Sequence, residues 1–266
     1  MTLNYQAVGN EIEVAVAAAR AGLAILVIGP TGCGKTRFVE HVAASVAAAR
    51  GEDNVGDGVI TVSCHDDLSS WDLLGRYVIE SEQTRWLDGP LTTAVREGTA
   101  CYLDEIAEAR RDTTVLLHSL TDYRRTLFID RTNETLEAPD GFVLLASYNP
   151  SLAGSRKRLK ESTRQRFVPI ELDYLPPQLE AMVVAREAGI DSRAAAEIVE
   201  FGQRQRRAAA ERAAEPVSTR GLVYIGKLIV EGVAPRTAAG TIVIPPAEDD
   251  QVLRSAMHEI VGTSLE

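Results

Sequence analysis

The sequence has little of three features that mark other protein classes: cysteine, aromatic residues and basic charge. Among 266 residues there are three cysteines, 5% aromatic residues and a formal net charge of −10. Three cysteines cannot all pair within one chain, so we expect a reducing compartment rather than a disulfide framework. The acidic balance, with a pI near 5.0, argues against a protein that works by neutralising nucleic-acid phosphates, and we expect no nucleic-acid partner.

Long apolar runs and an N-terminal targeting pattern are also lacking. The apolar stretches are far shorter than a bilayer span, and no N-terminal segment combines basic residues, an apolar run and a small-residue cleavage site. We therefore expect a cytoplasmic protein without membrane insertion. Hydrophobic residues make up 45% of the chain, which is enough for a substantial core.

Short apolar segments alternate with helical patterns as far as residue 175, which predicts an α/β fold with a parallel five-stranded sheet flanked by helices. In such a sheet the ligand site lies at the carboxyl ends of the strands. Beyond Pro177 the strand pattern gives way to Ala-rich amphipathic helices. We predict an α/β domain at 1–175 and an all-helical domain at 176–266, with strands at 23–28, 59–62, 100–103, 142–146 and 168–172 and late helices at 178–188, 192–212, 218–231 and 248–261.

A phosphate-binding pattern, G-x-x-x-x-G-K-[ST], follows the first predicted strand and opens a predicted helix, as that pattern requires. Its glycines let backbone N–H groups curl around phosphates at a helix N-terminus. We expect Lys35 to neutralise the β- and γ-phosphates of ATP and the Thr36 hydroxyl to ligate Mg²⁺. The pattern is Gly29-Pro30-Thr31-Gly32-Cys33-Gly34-Lys35-Thr36.

Two adjacent carboxylates end the third predicted strand, Cys101-Tyr102-Leu103-Asp104-Glu105. Asp104 fits the acid on the Mg²⁺ side, and Glu105 fits the base that polarises the attacking water. The alternative is that the pair only caps the next helix, since acids favour helix N-termini. The phosphate-binding pattern nearby favours the catalytic interpretation.

Asn149 follows the fourth predicted strand. It is expected to orient the water or to sense the γ-phosphate, and the alternative is an ordinary Asn-Pro turn with Pro150.

A basic run from Arg156 to Phe167 stands out in this acidic chain. Such a run is usually a solvated helix face. Because it directly precedes the fifth strand, Arg164 or Arg166 is instead a candidate arginine finger that reaches the γ-phosphate of another subunit.

Arg220 lies in the first turn of a predicted helix that Ser218 starts as an N-cap. A cation is unfavourable at that end of the helix dipole, so we expect Arg220 to contact a phosphate; the alternative is a salt bridge to Glu215 or another acid.

Together these residues resemble AAA+ ATPases of the MoxR branch, and in particular the CbbQ/NirQ/NorQ/GvpN family. The resemblance spans nearly the whole chain and is strongest in the segments Tyr5–Glu11, Gly29–Glu40, Asp72–Tyr77, Trp86–Thr92, Ser162–Phe167 and Ser218–Arg220. It adds Arg37 to the nucleotide-binding residues and makes the helical domain a lid. Ile28, where lysine is expected, and Ser151–Gly154 depart from the family pattern.

The resemblance implies a homohexameric ring, since finger contacts are heterologous and close into rings. It also implies pore-facing hairpins near 74–88 and 125–137. A polar turn at 131–134 between apolar segments independently indicates the second hairpin. For the first, the alternative is a surface loop with Trp86 in the core.

Members of this family resemble chaperone-like activators that act with a von Willebrand A domain adaptor of the CbbO/NorD type. Cys64–Leu68 and Trp86–Arg96 are most similar to CbbQ and NirQ. Of the two we favour CbbQ, which implies rubisco activation by release of inhibitory sugar phosphates. The alternatives are nitric oxide reductase maturation, as for NorQ and NirQ, and gas vesicle assembly, as for GvpN. Less favoured are a nucleotide-gated scaffold, which Glu105 argues against, and a DNA-acting motor.

Overall fold

The computed structural model describes residues 5–51, 58–80, 82–150, 159–211, 215–244, 255 and 261–262. The chain divides into two units. The first consists of residues 1–29 and 35–172, and the second of residues 30–34 and 173–266. Most of the predicted helix at 248–261 and the basic residues 156–158 lie outside the described residues.

The first unit is built on a five-stranded parallel sheet, which confirms the predicted fold class. The sheet strands are β1 (Ala24–Ile28), β2 (Val59–Ser63), β5 (Ala100–Asp104), β8 (Val143–Tyr148) and β9 (Phe167–Glu171). Their order in the sheet is β2-β5-β8-β1-β9, so β1 lies between β8 and β9 rather than beside β2. Strands β1, β5 and β8 are almost entirely buried and largely apolar, as expected for a sheet covered on both faces.

Six helices flank this sheet within the described residues. The longest, α2, buries Phe38, Val39, Val42 and Val46 at helical spacing. Helix α4 begins with a proline at its first position and ends at Gly98, whose left-handed conformation suits glycine. The six are α1 (Glu11–Arg20), α2 (Lys35–Ala49), α3 (Ser70–Leu74), α4 (Pro90–Glu97), α5 (Arg111–Leu116) and α6 (Glu161–Arg164).

Two antiparallel hairpins interrupt the alternation. The first pairs β3 (Gly75–Glu80) with β4 (Gln83–Asp88), and the second pairs β6 (Thr126–Ile129) with β7 (Glu134–Glu137). The sequence is compatible with either a hairpin or a surface loop at 74–88, and the structure has a hairpin there. Trp86 is only partly buried there and packs edge-on against Tyr77 across the two strands, with ring centroids 5.1 Å apart.

The described residues of the second unit form helices joined by loops. Its core is formed by Val184, Ile198, Phe201, Leu222 and Ile225 together with smaller apolar residues. The structure has a helix at Pro235–Val243 that the sequence analysis did not predict. The helices are α7 (Pro177–Ala188), α8 (Ser192–Glu211), α9 (Thr219–Val230) and α10 (Pro235–Val243).

A buried ion pair ties three helices of the second unit together. Glu180 of α7 is fully buried and accepts two hydrogen bonds from Arg206 of α8, at 2.8 and 2.7 Å. Thr219, the first residue of α9, donates a third at 2.6 Å. The Arg206 guanidinium also lies over the Tyr174 ring, 3.9 Å from its centroid. The buried Glu180 carboxylate is therefore paired with a cation and accepts three hydrogen bonds.

We expect Arg206→Ala to destabilise the protein by about 3–5 kcal/mol, because it leaves the Glu180 charge buried without its partner. Arg193→Ala is the matched control: Arg193 is 90% exposed and pairs with Glu197 at 3.1 Å, so its loss should cost well under about 1 kcal/mol. Urea unfolding of the parent and both variants measures the difference. Equal urea midpoints for the two variants would contradict the expected contribution of the buried ion pair to stability.

Candidate functional site

The phosphate-binding pattern forms a loop between β1 and α2, as its sequence context predicts. Gly32 and Gly34 have φ of 68° and 104°, a region that residues with a side chain rarely adopt. A Cβ atom at Gly34 would meet no other atom within 4 Å, so the loop leaves open space there. The first residue of α2, Lys35, is buried, and its Nζ donates to the Gly29 carbonyl at 3.0 Å. Thr36 and Arg37 are exposed.

The lysine and the predicted base meet at the edge of the sheet. Lys35 Nζ lies 3.5 Å from Glu105 Oε1, although the two residues are 70 positions apart in the sequence (105 − 35 = 70). The sheet order explains the meeting, since β1 and β5 both pair with β8 and all three run parallel. A cation and a carboxylate held this close, with the cation directly after the phosphate-binding pattern in the sequence, form a pair that can exchange one partner for an incoming phosphate.

Glu105 has a left-handed backbone conformation, with φ 54° and ψ 53°. Such a conformation is uncommon for a residue with a side chain, and residues held in it are enriched at active sites as well as in turns. Glu105 begins a 3-10 turn, yet its side chain makes no capping hydrogen bond to that turn. The capping alternative therefore has no support from the side chain, which instead faces Lys35.

Two hydroxyl groups that the sequence analysis did not single out hold the acid pair. The Tyr102 hydroxyl and Ser147 Oγ both donate to Asp104 Oδ1, each at 2.6 Å. Ser147 Oγ also accepts a hydrogen bond from the Glu105 backbone N–H at 2.8 Å. Strand alternation could have indicated Tyr102, which shares a face with Asp104. The serine lies on another strand, so its part depends on the sheet register.

Burial sets the protonation of the neighbouring groups. It raises the pKa of the Tyr102 hydroxyl, and the hydrogen bond to Asp104 adds to that effect. It also raises the pKa of the Cys64 thiol to about 12, with the Asp104 and Glu105 carboxylates as further causes. At neutral pH both groups are therefore protonated: the tyrosine is a hydrogen-bond donor, and the thiol is not a nucleophile.

Asn149 directly follows β8 and is 4% exposed. It lies two positions beyond Ser147, just past the carboxyl end of β8, which pairs with both β1 and β5. The structure thus brings Lys35, Asp104, Glu105 and Asn149 to the carboxyl ends of adjacent strands, as the alternating pattern predicts.

The two candidate finger arginines differ in their surroundings. Arg164 is at the end of the short helix α6, half exposed, and pairs with Glu161 at 2.7 Å. Arg166 is 34% exposed; its Nη1 lies 3.6 Å from Asp122 Oδ2 and donates to the His118 carbonyl at 3.4 Å. The Nε atom of Arg166 is buried without a hydrogen-bond partner among the described residues. No contact joins either arginine to Lys35 or Glu105 in the described part of the chain.

Within the second unit, the loop residues Pro30 to Gly34 lie near the start of α9. A Cβ atom at Gly32 would come within 2.6 Å of Ser218 and 3.2 Å of the Arg220 Cβ. Ser218 caps α9 as predicted, accepting from the Gly221 N–H at 3.1 Å. Arg220 is exposed and has no ion pair among the residues that the structure describes, so the Glu215 alternative finds no support there.

The donor atoms at the sheet edge suit nucleotide-borne Mg²⁺. Thr36 offers a hydroxyl and Asp104 a carboxylate, both hard oxygen ligands. No group of three or more histidine, cysteine or acidic side chains that could hold a metal occurs among the described residues. Such a site fits an ion that takes most of its ligands from phosphates and water rather than from the protein.

Two family models match the chain. Residues 24–167 match the AAA domain (dynein-related subfamily), and residues 180–264 match the CbbQ/NirQ/NorQ C-terminal model. The chain belongs to the CbbQ/NirQ/NorQ family of AAA+ ATPases. It is therefore a MoxR-type AAA+ protein that hydrolyses ATP, as its sequence predicts.

Similar proteins cover almost the whole chain. The denitrification regulatory protein NirQ of Stutzerimonas stutzeri is 46% identical over 97% of this chain and 90% of its own length. CbbQ of Hydrogenophilus thermoluteolus is 45% identical over 97% and 94%. NorQ of Paracoccus denitrificans is 46% identical over 97% and 92%. Because the chain is about equally identical to NirQ, CbbQ and NorQ, these similarities establish its family and do not distinguish among the three proteins.

A solved structure supports the fold. NtrX of Brucella abortus in complex with ATP superposes with a TM-score of 0.56 and 18% identity, covering 99% of this chain and 62% of NtrX.

Among the described residues, no helix combines the length and the apolar character needed to span a membrane.

Proposed function

We propose that this family member works as a ring of identical subunits that couples hydrolysis of Mg-ATP to remodelling of a client protein. The observation that carries the proposal is the approach of Lys35 to Glu105 across the sheet edge, at 3.5 Å, with Asp104 and Asn149 on the neighbouring strand ends. This grouping offers each part that phosphoryl transfer to water needs: a phosphate cation, a metal-side acid, a base and a sensor.

Each part has a defined task in the proposed reaction. Gly29 to Gly34 and Lys35 bind the phosphates, Arg37 and Arg220 add positive charge, and Thr36 with Asp104 would hold Mg²⁺. The metal, when bound, neutralises charge that develops on the phosphates. Glu105 accepts a proton from the attacking water, which Asn149 helps to orient. The proposed helical lid at 176–266 would carry the conformational change, and the α/β domain at 1–175 would bind the nucleotide.

Lys35→Ala should weaken ATP and ADP binding by roughly 10- to 100-fold, because a charge-assisted contact to phosphate is lost. Fluorescence titration with labelled ADP measures the affinity. Arg85→Ala, which removes one exposed cation from the first hairpin, is the matched control and should leave the affinity unchanged. Nucleotide affinity at the parent level in Lys35→Ala would disprove the phosphate role.

The finger is assigned to Arg166, with Arg164 as the competing residue. Arg166 lies just before β9 and has no contact with the subunit's own Lys35 or Glu105 among the described residues, so action on the same subunit's phosphate lacks support. Its partial exposure allows it to reach a second copy. A heterologous contact of this kind closes into a ring, and we propose a homohexamer.

The two hairpins are proposed to face the ring pore and to contact the client. They expose apolar side chains that a folded core would normally cover: Ile79 is 83% exposed, Phe128 49% and Tyr77 47%. Arg96 clamps the hairpins together, since it donates to Asp88 of β4 and, through both terminal nitrogens, to Glu134 of β7. Because Arg96 links the two hairpins, we expect them to move together when the nucleotide state changes.

Rubisco held by inhibitory sugar phosphates is the first client we propose, with a von Willebrand A domain adaptor of the CbbO/NorD type. The similarity to CbbQ supports it. The equal similarity to NirQ and NorQ supports the second candidate, maturation of nitric oxide reductase. Gas vesicle assembly rests on the sequence resemblance alone.

The deciding experiment measures carboxylation by inhibitor-locked rubisco incubated with the protein, its co-encoded adaptor and ATP. Recovery that needs ATP and fails with Lys35→Ala would support rubisco activation. ATP turnover without recovery would exclude rubisco as the client. Nitric oxide reduction by nitric oxide reductase that is expressed with and without the protein then tests the second candidate.

A further inference from the structure

Two buried hydroxyl groups converge on a single oxygen of Asp104. Tyr102 and Ser147 are both fully buried, and both donate to Oδ1 at 2.6 Å. Neither residue belongs to the phosphate loop or to the acid pair. Their shared target distinguishes them from hydroxyls that merely satisfy a backbone carbonyl, such as Thr113, which donates to Leu68 at 3.0 Å.

The fold dictates this convergence. Tyr102 and Asp104 are two positions apart on β5, so their side chains share one face of the sheet. In the parallel pairing of β5 with β8, Leu103 lies opposite Ala146, which brings the next residue of β8, Ser147, beside Asp104. A one-residue change of register would remove the serine from this position.

The carboxylate is consequently asymmetric. Oδ1 accepts two short hydrogen bonds, and Oδ2 accepts none from the residues that the structure describes. Hydrogen bonds from surrounding groups commonly orient metal-binding carboxylates and contribute strongly to metal affinity.

We propose that Tyr102 and Ser147 are positioning residues that occupy Oδ1 of Asp104 and so reserve Oδ2 for the Mg²⁺ of Mg-ATP or for one of its waters. The inference rests on the proposed role of Asp104 as the metal-side acid. In this proposal both hydroxyls act on the metal through the Asp104 carboxylate rather than as ligands themselves.

Ser147 has a second task that Tyr102 lacks. Its Oγ accepts the Glu105 backbone N–H at 2.8 Å, which supports the left-handed conformation that points the proposed base toward Lys35. The serine therefore couples the metal-side acid to the base, whereas the tyrosine hydroxyl interacts with Asp104 and with the Thr36 hydroxyl, both proposed ligands of Mg²⁺. The two residues should give different signatures when their hydroxyls are removed.

Tyr102→Phe removes one hydroxyl and keeps the buried ring. We expect Mn²⁺ binding to the ADP-bound protein, measured by electron paramagnetic resonance, to weaken roughly 10- to 100-fold. Affinity for ADP without metal should stay at the parent value, and kcat at saturating Mg²⁺ should change little. Mn²⁺ affinity equal to that of the parent would overturn the proposal for Tyr102.

Ser147→Ala should weaken Mn²⁺ binding similarly and should also lower kcat at saturating Mg²⁺, by on the order of 10²-fold, because Glu105 loses its support. Ser147→Thr retains the hydroxyl and should restore both values. Parent-like kcat at saturating Mg²⁺ in a folded Ser147→Ala would overturn the coupling to Glu105, and parent-like Mn²⁺ affinity would overturn the role at Asp104.

Two further variants separate the possible failures. Thr113→Val loses a buried hydroxyl away from the acids and should leave Mn²⁺ binding unchanged, so a loss there would mean that general destabilisation explains the effect. Asp104→Asn tests the underlying assignment. If it binds Mn²⁺ as the parent does, the metal role of Asp104 fails; if it loses Mn²⁺ while Tyr102→Phe does not, only the positioning role fails.

Discussion

Arg166→Ala is expected to bind ATP like the parent and to lose hydrolysis by roughly 10³-fold, the effect typical of a missing arginine finger. Arg166 contacts Asp122 and the His118 carbonyl rather than its own subunit's Lys35 or Glu105, so nucleotide affinity has no reason to fall. Labelled-nucleotide binding to the assembled protein tests the retained affinity, and ATP turnover tests the loss of hydrolysis. Arg164→Ala in parallel decides between the two arginines.

A mixing experiment tests whether the finger acts across subunits. Arg166→Ala subunits retain their own acid pair, and Glu105→Gln subunits retain a finger. Mixed rings should recover turnover because each variant supplies what the other lacks. No recovery in rings shown to be mixed, or an equal loss in an isolated monomer, would disprove the action in trans.

Glu105→Gln should retain ATP binding and lose turnover by roughly 10²- to 10⁴-fold, since the amide cannot accept the proton of the attacking water. The substitution keeps the shape of the side chain and removes the charge that lies 3.5 Å from Lys35. Affinity for ATP should therefore be no weaker than in the parent. Single-turnover hydrolysis measures the chemical step separately from binding.

The assembly state provides a second measure of the same variant. ATP that is bound and not hydrolysed should hold the subunits together, so gel filtration with ATP should show a persistent ring. Glu97→Gln, an exposed acid at the end of α4, is the control and should hydrolyse ATP normally. Normal turnover in Glu105→Gln would refute its assignment as the base.

The phosphate loop and the sheet could be predicted because they depend on local pattern. Eight consecutive residues, Gly29 to Thr36, encode a loop between strand and helix, and the apolar runs that become β1, β5 and β8 are continuous because both faces of the sheet are covered. Strand ends were accurate to about two residues, which is usual where hydrogen bonding rather than composition sets the limit.

Other features escaped the sequence analysis for reasons that are equally physical. The residues between β3 and β4 do not match a strong hairpin-turn pattern. The sequence from Leu74 to Asp88 is therefore compatible with either a hairpin or a surface loop, and only the pairing of the two strands distinguishes them. The short helix α10 carries few large apolar residues, so its helical pattern in the sequence is weak. The identity of the proposed client would depend on surface shape, which no local pattern encodes.

The sequence by itself determined the ATPase chemistry, since the spacing of Gly29 to Thr36 and the adjacency of Asp104 and Glu105 are written along the chain. Only the tertiary structure decided how these groups are held. Ser147 reaches Asp104 across 43 positions through the pairing of β5 with β8, and Arg206 finds Glu180 across 26 positions through the packing of α7 on α8. Such contacts depend on register and helix packing, which arise from the balance of the whole core rather than from any one segment.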